Sequence, residues 1–231
     1  MTSIRVLSTL AVMGAMRELA ALYEAESGNA IQADFSPTVA LLERLRAGEA
    51  ADVAILTAQG IDDLTREGVM RPGTRTDVAL SFVGVAVKTG APKPDIGSVD
   101  AFKAALLAAR SVAYSKIGAS GIFFAGLIRR LGIEAEVNAK AVIVPSGFTA
   151  ERAASGEVEL AVQQISELMV VPGIEVVGPL PPEIQTVATF SAGLPGKSVQ
   201  PEKGAELLRF LASPAIAPAL RRAGLEPAGQ T

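Results

Sequence analysis

Three times within residues 4–67 a short apolar segment runs into a small turn and then an amphipathic helix, and this alternation narrows the possible folds more than any other feature. Residues 4–7 form the first predicted strand. Ser8-Thr9-Leu10-Ala11 follows, then a helix with Met13, Met16, Leu19, Ala20 and Tyr23 on one face, closed by Gly28-Asn29. Residues 30–35 lead through Ser36-Pro37-Thr38 into a helix bearing Leu41, Leu42 and Leu45. Residues 52–56 are short and apolar enough to be buried on both faces, and a helix over 60–67 comes next. The pattern βαβαβα predicts an α/β fold with a mainly parallel sheet flanked by helices.

Beyond Pro72-Gly73 the rhythm changes. A longer apolar strand is expected over 79–87, and a helix over 99–109 with Ser98 as its cap. The strand 111–114 then enters Ser115-Lys116-Ile117-Gly118-Ala119-Ser120-Gly121, followed by a helix with Phe123, Leu127 and Leu131 on one face. A strand over 141–144, the loop Pro145-Ser146-Gly147 and a helix over 149–155 follow. The strand 160–162 ends at Gln163-Gln164, ahead of a short helix from Ile165. Extended segments at 174–178 and 186–191 precede two closing helices, 201–212 and 215–223. Two α/β units joined by two extended crossings predict two lobes, 1–80 with 192–231 and 81–191, and a ligand cleft between them.

The 231 residues contain neither Cys nor His. That excludes disulfides, thiol nucleophiles, Cys/His zinc sites and any mechanism that needs imidazole. Proton transfer is left to Asp, Glu, Lys or Tyr. The net charge of −3 gives no general attraction for nucleic acid or anionic membranes, so neither is expected as a partner. No motif predicts a cofactor or a metal. Arg5 precedes an apolar run, but the helical spacing after it reads as the first strand–helix unit and not as a leader. The chain as it stands is therefore expected in the cytoplasm, and in the periplasm if a leader was removed. Nowhere do about 18 apolar residues run unbroken, so no membrane insertion is expected.

In sheets of this kind, ligands sit beyond the carboxyl ends of the strands, where free N–H groups and the positive helix end favour an anion. The loops there supply Ser8, Thr9, Leu10, Ser36 and Thr38 from the first lobe. Ser115, Lys116, Ala119, Ser120, Gly121, Ser146, Gly147, Gln163 and Gln164 come from the second. Ser and Thr at such junctions also act as helix caps, and it is their shared position at one end of the fold that points to a ligand. Lys116 is the charge within the central loop, suited to a carboxylate. The two glutamines are polar at the end of an apolar run, where burial demands hydrogen-bond partners. If the protein catalyses proton transfer, Lys116, Tyr114 and Glu167 are the candidates.

On Phe35-Ser36-Pro37-Thr38-Val39-Ala40-Leu41, Ala51-Asp52-Val53-Ala54-Ile55, Ala119-Ser120-Gly121-Ile122 and residues 208–214, the chain resembles the type II periplasmic solute-binding proteins. Within them it is similar to the molybdate-binding branch, in element order and spacing over essentially its whole length. The resemblance implies a two-lobed fold, a small anionic ligand, a monomer, and an ABC-transporter permease as partner if the chain serves transport. It departs from molybdate binders at Ala11, where a serine is common, at Pro37 between the two hydroxyl residues, and at Gln164, where a tyrosine is typical. Gln163-Gln164 followed by Ile165-Ser166-Glu167 looks instead like relatives whose ligands are unassigned or carboxylic, aconitate isomerase among them. The expected function is binding of a molybdate-like oxyanion or short carboxylate, with isomerisation of a small polycarboxylate as the alternative.

Overall fold

Apolar alternation turns the predicted strands into a sheet covered on both faces. The computed structural model describes residues 3–229. From β1 (Ser3–Thr9) the chain makes a 3₁₀ turn, Leu10–Val12, into α1 (Met13–Ser27). Then come β2 (Ala30–Ser36), α2 (Thr38–Arg46), β3 (Val53–Thr57) and α3 (Ala58–Arg66). The long β4 (Thr76–Lys88) carries the chain out of this first unit. The second unit holds α4 (Val99–Ala108), β5 (Val112–Ser115), α5 (Ala119–Arg130), α6 (Glu134–Asn138) and β6 (Ala141–Val144). It continues with α7 (Ala150–Ser155), β7 (Leu160–Gln164), α8 (Ile165–Leu168) and β8 (Ile174–Pro179). The chain then returns to the first unit through β9 (Val187–Gly193), α9 (Pro201–Leu211), α10 (Ala217–Arg222) and β10 (Glu226–Pro227). Unit 1 comprises the residues up to Ser81 and those from Ala188 onward, and unit 2 is Phe82–Val187.

In unit 1 the strand order is β2-β1-β3-β9-β4. β1 is parallel to β2 and β3, β9 is antiparallel to β3, and β10 pairs antiparallel with β4. Ile4 and Val6 of β1 join Tyr23, Leu207, Phe210 and Leu220 on one face, while Leu7 joins Leu41, Leu45, Ile61 and Leu64 on the other. In unit 2 the far half of β4 lies between β7 and β8, antiparallel to both, and β5 is parallel to β7 and β6. Val112 and Tyr114 of β5 pack with Phe102, Phe124 and Leu127, whereas Ala113 packs with Ala150, Ala153 and Leu168. The sheets are mixed: the parallel strands, β2-β1-β3 and β7-β5-β6, form one side of each unit, and the antiparallel pairings fall where the chain crosses.

Several elements differ from the sequence reading in informative ways. β1 runs on to Thr9 and β7 to Gln164, so the hydroxyl and amide residues expected in loops are the last residues of strands. Phe124, not Phe123, fills the core beneath α5. Phe123 is half-buried instead, with the Arg130 guanidinium 5.8 Å from its ring centre. α6 and β10 were not anticipated, being five and two residues long, too short for a periodicity to register. Among the described residues no helix is long and apolar enough to cross a membrane.

Candidate functional site

The central loop of unit 2 is built by one close approach. Ser115 ends β5, and its Oγ accepts the Gly118 N–H at 2.9 Å, which closes the turn. The Lys116 N–H bonds to Val144 O of β6 at 2.8 Å. At Gly121 the helix meets the strand: a Cβ there would lie 1.8 Å from Ser115 O, so only glycine lets α5 start where it does. The N–H groups of Gly121 and Ile122 both point to Gly118 O. Those of Ala119 and Ser120, in the first turn, have no acceptor within the helix. No side chain caps this helix, because its N-cap residue is Gly118.

Ser120 is 2 % exposed and its buried Oγ has no hydrogen-bond partner. Gln164, at the end of β7, is likewise 2 % exposed with its Oε1 buried and unpartnered. Unpaired buried polar atoms cost on the order of 1–3 kcal/mol each, and here Ser120 follows the carboxyl end of β5 while Gln164 ends the adjacent β7. Lys116 is exposed, and among the described residues its ammonium has no carboxylate partner.

The neighbouring residues have other tasks. Gln163 accepts from Thr149 N–H at 2.8 Å and Thr149 Oγ1 at 3.0 Å, and donates to Gly147 O at 3.3 Å. Its amide thus holds the turn at residues 145–147, where Gly147 has φ +87° and Ser146 is exposed. Tyr114 donates its hydroxyl to Asn138 Oδ1 at 2.7 Å and packs its ring 5.2 Å from that of Phe124. Burial raises its pKa, with Glu134 adding to the effect. Tyr114 is therefore a core residue whose hydroxyl already has a partner. Glu167 is buried, and desolvation pushes its carboxyl up to about 7, against the opposing bonds from the Gln163 amide and the Gln164 backbone N–H.

Unit 1 brings Thr9 and Ser36 side by side, as the last paired residues of β1 and β2. Ser8 is buried and donates to Thr9 O at 3.1 Å. Ser36 is committed elsewhere: its Oγ accepts from Arg44 at 2.7 Å, and Arg44 also pairs with Asp34 and Glu49. The Arg44 guanidinium holds both carboxyls below their usual range. Thr9 precedes the 3₁₀ turn and Thr38 opens α2 after Pro37 at φ −60°, and neither helix start has a side-chain cap bond. Leu10 is buried and apolar, so it can offer a ligand only its backbone. A cavity of about 480 Å³ in unit 2 lies at the opposite, amino ends of β5 and β7. Two of its cations, Lys93 and Arg110, are already paired with Glu175 and Glu159.

Two units of mixed sheet with polar strand ends define a class that the comparisons with known proteins specify. A family model described as bacterial extracellular solute-binding protein matches residues 4–226, and the chain belongs to that family. The aconitate isomerase of a Pseudomonas species is 38 % identical over 232 residues, covering 98 % of this chain and 88 % of that protein. The periplasmic molybdate-binding protein of Azotobacter vinelandii superposes with a TM-score of 0.81 at 16 % identity, over 96 % of this chain and 98 % of that one. The sulfate-binding protein of Mycobacterium tuberculosis H37Rv superposes with a TM-score of 0.77 at 13 % identity, over 100 % and 88 %. At such identities the likeness to solved structures establishes the fold, that of the periplasmic binding proteins.

Proposed function

We propose that the protein binds a small anion at its hydroxyl-bearing strand ends, and that a short carboxylate fits these residues better than a molybdate-like oxyanion. One observation carries the reading: Ser120, buried with an unpartnered Oγ, in the uncapped first turn of the twelve-residue α5. Lys116 supports a carboxylate as its point-charge partner. So does the 38 % identical relative, whose name specifies a tricarboxylate. Thr9 and Thr38 are proposed as anion contacts in unit 1 on the same grounds, an uncapped helix start with a hydroxyl at its mouth. The proposal includes a monomeric state, and a permease partner if the protein serves transport.

The test is thermal unfolding against molybdate, tungstate, sulfate, phosphate and a panel of di- and tricarboxylates. A ligand at about 100 times its dissociation constant adds roughly 2.7 kcal/mol. The expected result is a raised melting temperature with a polycarboxylate and little change with molybdate. A panel without any effect ends the anion reading, and stabilisation by molybdate alone reverses the choice of ligand.

A second reading, isomerisation of aconitate, is favoured by the same relative together with the buried carboxyl of Glu167. In such a reaction a proton leaves the methylene carbon and the electron pair spreads into the neighbouring unsaturated carboxylate. A proton then returns at the other end of the three-carbon unit, so nothing is oxidised or lost. Donors must stabilise the developing enolate-like charge, a task suited to Lys116 and the α5 N–H groups. A base must accept the proton near neutral pH, which Glu167 can do when ionised. Tyr114 drops out, its hydroxyl being held by Asn138. Proton NMR of cis- and trans-aconitate in deuterated buffer decides the matter. Interconversion with deuterium uptake, lost in Lys116→Ala, identifies an enzyme; binding without exchange identifies a receptor.

A further inference from the structure

Glu167 is a buried carboxyl set among neutral groups. α8 packs on β7 and β8. β7 has no charged residue, and Glu175, the one on β8, is paired with Lys93 at 2.9 Å. On β4, whose Gly84 approaches the Ile165 side chain, the charged residues are Lys88 at the far end and Asp77, bonded to Arg75 and Ser191. α7, which shares the apolar cluster of Leu168, bears Glu151 and Arg152, and Arg152 pairs with Glu157. None of these offsets the charge of Glu167, whose shift comes from burial and two neutral donors.

Those donors are themselves locked. Thr149, wholly buried, sends both its N–H and its hydroxyl into Gln163 Oε1, which fixes that end of the amide as the acceptor. Gln163 Nε2 must then face Gly147 O and the Glu167 carboxyl. Rotating the amide would lose both Thr149 bonds and turn a donor toward two donors. The chain Thr149–Gln163–Glu167 therefore ends at a carboxyl that also accepts from the Gln164 backbone N–H, at the carboxyl end of β7.

We infer that binding of the anion in unit 2 is accompanied by protonation of Glu167, and that Gln163, locked by Thr149, is the positioning residue that sets how readily this happens. An arriving anion disfavours a second negative charge at the end of β7, and Lys116, the cation assigned to the ligand above, is exposed and engaged by the ligand itself. This inference rests on the anion-binding reading above; the isomerase reading instead requires Glu167 to stay ionised with the ligand bound. Because burial raises the free carboxyl to about 7, uptake should be a fraction of a proton per ligand at pH 6 and grow as the pH rises to 8.

The experiment is titration calorimetry of the full chain at pH 6–8 in buffers of different ionisation enthalpy. The probes are trans-aconitate, corrected for its own ionisation, and sulfate, which has no titrating proton in this range. The expected result is net proton uptake that grows with pH in the native protein and vanishes in Glu167→Gln. In Gln163→Leu, which removes a donor to the carboxylate, uptake should persist to higher pH, by about one unit. Thr149→Val, which keeps the backbone donor, should move the profile in the same direction by less, and serves where Gln163→Leu fails to fold. Binding without proton exchange, or equal uptake in Glu167→Gln, overturns the inference and leaves anion binding standing. No heat and no stabilisation with either probe overturns the anion reading and the inference with it.

Discussion

At the scale of single residues, two buried side chains have measurable consequences. Removing the Ser120 hydroxyl should weaken anion binding about tenfold, the order of one hydrogen bond to a charged group, without unfolding a protein that gains no internal bond from it. Calorimetry of Ser120→Ala beside Ser36→Ala checks this, because Ser36 is held by Arg44 and its loss should cost the ligand little. Glu167 sets a pH dependence of stability. Its carboxyl is raised from 4.5 in the unfolded chain to about 7 in the fold, so its contribution is fully present below pH 4.5 and is lost as pH rises through 7. The loss amounts to roughly 3 kcal/mol. Urea unfolding at pH 5 and pH 8 should show this decline in the native protein and a flatter profile in Glu167→Gln. An unchanged difference would mean that Glu167 is solvated.

At the scale of elements, the proposed anion-binding end depends on how closely helices meet strands. Gly121 allows the first turn of α5 to sit on Ser115 O, and Gly84 allows α8 to sit on β4, where a Cβ would come within 2.6 Å of Ile165. Gly121→Ala must displace α5 from backbone and not merely from a flexible side chain. It should destabilise by about 2 kcal/mol or more and abolish anion binding. Gly126→Ala, on the same helix with only an Arg130 tip at 4.0 Å, should leave both nearly unchanged. Chemical denaturation with parallel binding measurements separates the two variants. Asp52 does a comparable job in unit 1. It is almost fully buried and accepts from Arg5 N, Ser198 Oγ and both nitrogens of Gln200, joining β1 to the segment before α9.

At the scale of the whole molecule, the chain has a net charge of −3, so its overall field does not draw anions in. In the proposed function, recognition falls to local donors that are mostly neutral, the helix N–H groups and hydroxyls. Affinity for a dianion should therefore fall less than about threefold between 50 and 300 mM salt, because screening acts mainly on exposed charge. Lys116, exposed and without a carboxylate partner, should account for most of that fall. Titrations of native protein and Lys116→Ala at the two salt concentrations test this. A steep dependence that survives the substitution would locate the binding charge elsewhere.

The local pattern was legible in the sequence. Apolar runs of strand length, the helical spacing after them and the small turns between them placed nearly every element, because each is set by neighbours a few residues apart. The same logic picked out Ser120, Thr9 and Thr38, which stand where a strand ends and a helix begins. Tertiary structure decided what each polar side chain does there, since the partner lies far along the chain or across the sheet. Arg44 takes Ser36, eight residues away, and Asn138 takes Tyr114 across 24. Thr149 takes Gln163 across the 14 residues between a helix start and a strand end. Asp52 finds Gln200 across 148. Composition cannot tell a committed hydroxyl or amide from a free one. Only the packed sheet leaves Ser120 and Gln164 buried with unpaired oxygens, and only its low-polarity surroundings raise Glu167 into the neutral range.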